Sequence, residues 1–386
     1  MKEYTNLLIP DEDVLNRIQE QLSLDFIDVR YENRSRLLID RHKRGRVSIL
    51  HQNLTGSNIR VLVNGNWGTV SFTPSIPLDV SVRFARKLAI LRGPGSISLA
   101  PTSSVHAKVK LSSKNDPRFI PDDRKVGLLK EYDQGIHDFS KTLTSEFFYQ
   151  EENVLKKYVN SEGTYIEQEN NYTSIDVTII AKSGSNIQTV NGSVGGTNDF
   201  CVIEDAGSQI ESLSRRAISL LTSYKVVEGN YTIILDPELT GVFVHEVIGH
   251  HGEADNLFAQ KLRSGEKKPQ MNFIDSMHVV DDPSLENLSG SYDFDDEGIK
   301  PSKTYLIKSG AIAEQLNSRD TANLSDETLN GHARAVDYRF TPIVRMGNTF
   351  MEPGEWNFEE MFEDTKRGIY ALGPWEGKCV GETFVL

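Results

Sequence analysis

DPELTGVFVHEVIGHHGEAD, residues 236–255, begins as a helix and ends in a cluster of imidazoles and carboxylates. Asp236 suits an N-cap, Pro237 the first helical position and Glu238 the positive end of the helix dipole. Leu239, Val242, Phe243 and Val247 supply an apolar helix face. Inside the stretch, His245-Glu246-Val247-Ile248-Gly249-His250 sets two imidazoles beside a carboxylate. Neutral imidazole is a good zinc ligand, and a glutamate next to a metal-activated water is a good general base. The usual zinc signature places its histidines at i and i+4, about 40° apart around a helix; here they stand at i and i+5, about 140° apart. A regular α-helix does not aim both at one ion. A π-bulge, or a turn that loosens at Gly249, brings them together, and Glu246 already shares a face with His250. Without such a turn the histidines are packing or capping residues.

Upstream of the motif the pattern alternates helices with strand pairs. Helices are predicted over residues 10–22, 78–91, 122–139 and 208–224, each with apolar residues at helical spacing. Strand-like runs fall at 26–31, 47–50, 59–63, 67–72, 142–150, 154–159, 164–168 and 174–182. Asn64-Gly65-Asn66 is a strong hairpin signal, and residues 160–163 read as a turn between strands. Residues 93–117 and 183–199 are rich in Gly, Ser, Pro or Asn and read as loops. The basic run RHKRGR at 41–46 is short and isolated, which suits a solvated turn. Beyond Glu228-Gly229-Asn230, a short strand at 231–235 leads into the motif helix. A polar stretch at 257–270 follows, either a lid or a plain connector, and from residue 272 the chain reads as mostly β. The expected fold is α+β: an N-terminal α+β domain over 1–228 with an antiparallel sheet and helices, then a β-dominated domain over 229–386 that opens with the motif helix.

Composition narrows the function. A chain of 386 residues supports a large core and more than one domain. Its net charge of −13 argues against a nucleic-acid surface. No apolar run approaches the length of a membrane span, and the acidic N-terminus does not read as a signal peptide. Two cysteines, Cys201 and Cys379, do not make a disulfide framework and suit a reduced, cytoplasmic protein. Asp293, Asp295, Asp296 and Glu297 form the densest acidic cluster; without an EF-hand pattern, an Asx-stabilised turn is the simpler reading than a calcium site.

HEVIGHHGEAD is joined by VVDDP at 279–283, YDFDDEG at 292–298, GHAR at 331–334, RMGNTFMEPG at 345–354 and, upstream, NSEG at 160–163. In this order the blocks resemble those of the TldD/PmbA metalloproteases, the "modulator of DNA gyrase" proteins, and HExxxH marks the TldD-like half. The resemblance implies a zinc-dependent metallopeptidase acting on small or unfolded peptides, bound extended against a strand edge. It implies His245 and His250 as metal ligands for Zn2+, Glu246 as catalytic base, and assembly with a PmbA/TldE-like partner subunit or as a homo-oligomer. Glu253 and Asp255 match the signature and read as carboxylates that orient the imidazoles, or else simply end an exposed helix. A catalytic zinc site usually has a third protein ligand; the candidates are Glu253, Asp255, His278, His332 and Cys379. TldD-like proteins take a cysteine in a later Gly-rich block. The ending GETFVL resembles a family strand that precedes that block, so the chain reads as truncated relative to the family, and Cys379 reads as a buried, inert cysteine by default or else as a substitute thiolate. A non-catalytic peptide-binding or scaffold half is the alternative that this ending raises.

Overall fold

The computed structural model describes residues 9–42, 45–73, 75–111, 113–256 and 273–373, with the backbone of strands 378–380 and 383–385. The polar stretch 257–270 lies outside the described residues, as does the centre of the basic run at 41–46.

Seven strands build the larger sheet: β1 (Phe26–Arg41), β2 (Val47–Val63), β3 (Asn66–Phe72), β4 (His106–Val109), β5 (Leu143–Asn160), β6 (Tyr165–Ser183) and β7 (Asn186–Thr197). The order is β3-β2-β1-β5-β6-β4, with β7 also paired to β6, and only the β4–β6 pair is parallel. At the β2–β3 hairpin, Asn64 and Gly65 both take positive φ, 51° and 70°, which is the turn that the Asn-Gly dipeptide favours. One face of the sheet carries four helices: α1 (Glu12–Leu22), α2 (Leu78–Leu91), α3 (Asp122–Phe139) and α4 (Gly207–Leu220). Ile27, Val29 and Tyr31 of β1 meet Leu15 of α1 and Val82, Ala85 and Ala89 of α2. Further along, Leu37, Ile39, Phe147 and Val177 meet Val126 and Leu129 of α3 and Ile210 and Ala217 of α4.

Alternation then sends Asp28, Arg30, Glu32 and Arg34 to the opposite face. That face is not wet. All four are at most 6% exposed, because residues beyond 290 cover them. Arg60 on β2 bonds Asp28 and, at 2.9 Å, Glu297. Arg30 donates to the carbonyls of Asp337 and Phe340, and Arg34 to Glu32, Glu152 and the carbonyl of Val336. Lys156 reaches Asp296 at 2.9 Å. Buried charges of this kind must be paired; the turn at 293–297 supplies Glu297 to Arg60 and Asp296 to Lys156 and Arg30, while Arg34 is paired within the sheet by Glu32 and Glu152. Burial and then Glu297 push the Asp295 carboxyl up to about 8. Burial also raises Asp296, but Lys156 and Arg30 override it and hold that group far below the usual range.

Two expectations are corrected. The paired runs at 47–50 and 59–63, 142–150 and 154–159, and 164–168 and 174–182 are each one continuous strand of 17 to 19 residues. The presumed loop at 183–199 contains β7. Its glycines allow close approach: a Cβ on Gly192 would stand 2.3 Å from Leu213, and one on Gly195 would stand 2.8 Å from Ser174.

The remainder holds β8 (Thr232–Leu235), helix α5 (Pro237–Val244), β9 (Val279–Asp281), β10 (Thr304–Lys308), β11 (Ala311–Ile312), helix α6 (Arg319–Ser325), β12 (Ala333–Arg334), β13 (Ile343–Val344), β14 (Thr349–Met351), helix α7 (Phe358–Asp364), β15 (Gly368–Ala371), β16 (Lys378–Val380) and β17 (Thr383–Val385). A four-stranded sheet runs β11-β10-β9-β14, so β14 is an edge strand, and β8 pairs in parallel with β15. Val244 and Ile248 pack on Val279 and Leu306 of this sheet and on Val344 and Met346 beside it. Among the described residues no helix is long and apolar enough to cross a membrane.

Candidate active site

Strand β8 delivers the chain to Asp236, whose carboxylate accepts from the Leu239 N–H at 2.8 Å and caps α5. Its second oxygen accepts from Gly373 N–H at 2.8 Å, which ties the helix start to the end of β15. The helix is regular as far as Val244. Residues His245–Gly249 then form a π turn, and His250–Gly252 resume the α-helix. The wider turn absorbs the extra residue that the i, i+5 spacing demands. Two packing contacts hold it: a Cβ on Gly249 would stand 2.0 Å from Met346 Sδ, and one on Gly252 would stand 2.7 Å from Leu306.

The outcome is that His245 and His250 face each other, with ring centroids 4.8 Å apart at 80°. One ligand atom each from His245, Glu246 and His250 lie within 4.8 Å of one another. This donor set fits a divalent cation. Burial and the neighbouring His250 lower the His245 pKa, which favours the neutral ligand form. His250 Nδ1 meets Glu253 Oε2 at 3.2 Å, which leaves Nε2 free to bind. Glu253 is only 3% exposed and also lies 3.6 Å from Arg345. Asp255 turns away instead and accepts from Val344 N–H at 2.8 Å; burial raises its pKa.

Two candidates for a further ligand are committed elsewhere. His332 is fully buried, with Nε2 3.0 Å from Asp281 Oδ1 and Nδ1 3.0 Å from Asn330 Oδ1. His278 accepts from Ser309 N–H at 3.3 Å and rests against Tyr305. The backbone of β16 passes within 8 Å of the π turn, but the side chain of Cys379 lies outside the described residues.

His245 and Glu246 line a cleft of about 940 Å3, bounded by α5, by residues 285–290 and by residues 347–350. Its far wall includes β14. Asp282 N–H bonds Asn348 O and Glu352 N–H bonds His278 O, so by alternation the main-chain groups of Thr349 and Met351 point away from β9. Among the described residues no backbone group pairs with them there. The strand is fixed by Asp281, whose carboxylate accepts from Gly347 N–H at 2.9 Å and from the Thr349 hydroxyl at 2.5 Å. This buried carboxylate and the role of His332 in holding it were not legible in the sequence. The only signal was that VVDDP, GHAR and RMGNTF resemble family blocks.

Residues 228–380 match the family model described as the PmbA/TldA metallopeptidase C-terminal domain, and residues 115–221 match the central domain of the same proteins. A metalloprotease of Methanothermobacter thermautotrophicus is 32% identical over 326 residues, which is 83% of this chain and 70% of that protein. A zinc metalloprotease TldD homolog of Saccharolobus solfataricus is 27% identical over 371 residues, 93% of this chain and 80% of that one. Among solved structures, a protein of Thermotoga maritima described as a modulator of a DNA gyrase superposes with a TM-score of 0.75 at 16% identity, covering 96% of this chain and 82% of that one. TldE from Thermococcus kodakarensis superposes with a TM-score of 0.73 at 16% identity, covering 95% and 82%. At such identity the structural likeness speaks for the fold alone.

Proposed function

The chain belongs to the PmbA/TldD family of metallopeptidases, and on that premise we propose that it is a zinc-dependent peptidase taking small or unfolded peptides in extended form. The supporting observation is the convergence of His245, Glu246 and His250 within 4.8 Å, with His245 and Glu246 on a cleft walled by the edge of β14 that no described strand pairs. His245 and His250 would hold zinc, with Cys379 the candidate for a third ligand. Bound there, zinc supplies Lewis-acid chemistry, acidifying water and polarising a peptide carbonyl.

The chain's own residues do the rest. Glu246 takes the proton of the attacking water and passes it to the departing amine. Glu253 holds the His250 ring in one orientation. The N–H and C=O groups of Thr349 and Met351 pair with the main chain of an extended peptide, which every sequence offers alike. A TldE-like subunit or a second copy of the chain is the proposed partner, and the cytoplasm the proposed compartment.

The test is zinc content and turnover of an unfolded peptide by the purified protein, alone and with a TldE-like partner. Glu246→Gln should retain stoichiometric zinc and lose turnover, and His245→Ala should lose both. Turnover retained by Glu246→Gln rejects the proposed base. A wild-type protein that binds peptide but never zinc, with or without the partner, favours a non-catalytic peptide-binding half.

A further inference from the structure

The cleft in front of His245 and Glu246 carries an apolar wall that peptide hydrolysis itself does not need. Leu285 and Leu288 are 37% and 44% exposed, and they line the cleft together with Val242 and Phe350. Val242 precedes Glu246 by four residues. The place of Phe350 follows from the strand: Thr349 turns to Asp281 and Met351 packs against the core under the π turn, so Phe350 takes the opposite face. A contiguous group of large apolar side chains left in an open cleft marks a binding surface.

The wall is also held in place. The Leu288 carbonyl accepts from the Thr197 hydroxyl of β7 at 3.2 Å, and its N–H donates to Ser291 Oγ at 3.2 Å. Gly290 N–H donates to Asn348 Oδ1 at 2.9 Å, and Asn348 donates onward to the Asp282 carbonyl at 3.0 Å and to Ser291 at 3.1 Å. A Cβ on Gly290 would stand 2.2 Å from the Gly347 carbonyl oxygen, so the two cleft walls touch backbone to backbone. The leucines are thus anchored at the cleft from both sides rather than carried on a loose connector.

Building on the peptidase reading of this cleft, we infer that Val242, Leu285, Leu288 and Phe350 form a subsite for one bulky apolar side chain of the peptide, close to the bond whose hydrolysis Glu246 serves as base. Strand pairing with β14 tolerates any sequence; the subsite adds a preference for Leu, Ile, Met or Phe at one position. Glu238 and Glu246, on the same cleft, add repulsion against Asp or Glu there. Burial of such a side chain is worth roughly tenfold to a hundredfold in selectivity.

A randomised peptide library cleaved by the zinc-loaded protein, with cut sites read by mass spectrometry, tests this. The expected result is one position relative to the cut enriched roughly tenfold or more in large apolar residues. Leu288→Ala should flatten the enrichment and Leu288→Asp should shift it toward Lys and Arg. Because Leu288 is 44% exposed and belongs to none of the buried core clusters, neither change needs to disturb the fold, which circular dichroism checks. Binding gives a readout apart from turnover: fluorescent peptides differing only in Leu or Asp at that position are titrated into the Glu246→Gln protein. The Leu peptide should bind roughly tenfold tighter, and Leu288→Asp should erase the difference. Cleavage without positional preference, or equal binding of the two peptides, overturns the subsite and leaves the peptidase reading standing. Preferential binding of apolar peptides, when no peptide is ever cut, upholds the subsite and removes the peptidase.

Discussion

Gly249→Ala isolates the π turn as the device that aligns His245 with His250. Two effects oppose each other. In an ordinary helix, alanine in place of glycine stabilises by about 1 kcal/mol. Here the new Cβ would stand 2.0 Å from Met346 Sδ and 3.3 Å from both Cγ and Cε. Met346 has little room to yield: it is 6% exposed, it packs with Val244, Ile248 and Leu306, and its carbonyl is held by Arg334 at 2.5 Å. Overpacking of this kind costs about 1–3 kcal/mol, so the clash outweighs the propensity gain and the net loss is up to about 2 kcal/mol. The strain falls between the two imidazoles, so zinc affinity should drop by at least roughly tenfold, since second-tier contacts of ligands are worth that much. The assay is urea denaturation of wild type, Gly249→Ala, Met346→Ala and the double variant, with zinc titrations in parallel. The truncated Met346 makes room for the new methyl, so the cycle should show a favourable coupling of about 1 kcal/mol or more. A Gly249→Ala protein as stable as wild type with unchanged zinc affinity, or a cycle without coupling, would refute the reasoning.

Three further outcomes follow from contacts in the same region. Glu253→Ala, which removes the oxygen facing His250 Nδ1, should weaken zinc binding about 10–100-fold; Glu253→Gln keeps an acceptor and should lose less, as calorimetric titration will show. Asp281→Ala strips acceptors from Gly347, Thr349 and the buried His332 and should cost about 3–5 kcal/mol in denaturant unfolding; a cost below about 1 kcal/mol contradicts its place as the clamp on β14. The Asp295 carboxyl, raised to about 8, keeps in the fold a proton that the unfolded chain gives up near pH 4. Its contribution to stability is therefore full below about pH 4 and is lost as pH rises through about 8. The urea midpoint should fall between pH 6 and pH 9, less steeply in Asp295→Asn, and a rising midpoint in wild type would reverse the sign.

Helices were the most legible part of the chain, because their signal is local. The spans at 78–91 and 122–139 agree with the structure at both ends, where Pro77 and Pro121 precede them and apolar residues hold one face. Strand existence was legible but strand length was not. Polar runs such as Glu151–Asn153 interrupt the alternation, yet they are paired: Glu151 meets the buried Lys125 and the Tyr149 hydroxyl inside the core. The glycines of β7 signalled a loop, although they serve close packing against α4 and β6. The i, i+5 histidine spacing forced the question of a π turn, but what holds that turn lies about a hundred residues away at Met346. The buried Asp281–His332 pair was hidden for a related reason. A histidine in a sequence reads as a possible ligand until its neighbours from other segments are known.

The pairing of Arg60 with Glu297 spans 237 residues of sequence. On the ribosome, at about 5–20 residues per second, Arg60 waits on the order of ten to fifty seconds before its partner is made. During that interval the first three strands can pair and bury Ile27, Val29 and Ile59 under α1 and α2, while Asp28, Arg30, Glu32 and Arg34 face the water. A nascent sheet with a charged face is slow to stick to its neighbours. The residues that later meet the segment beyond 290 would thus also disfavour sticking of the unfinished chain while it is being synthesised.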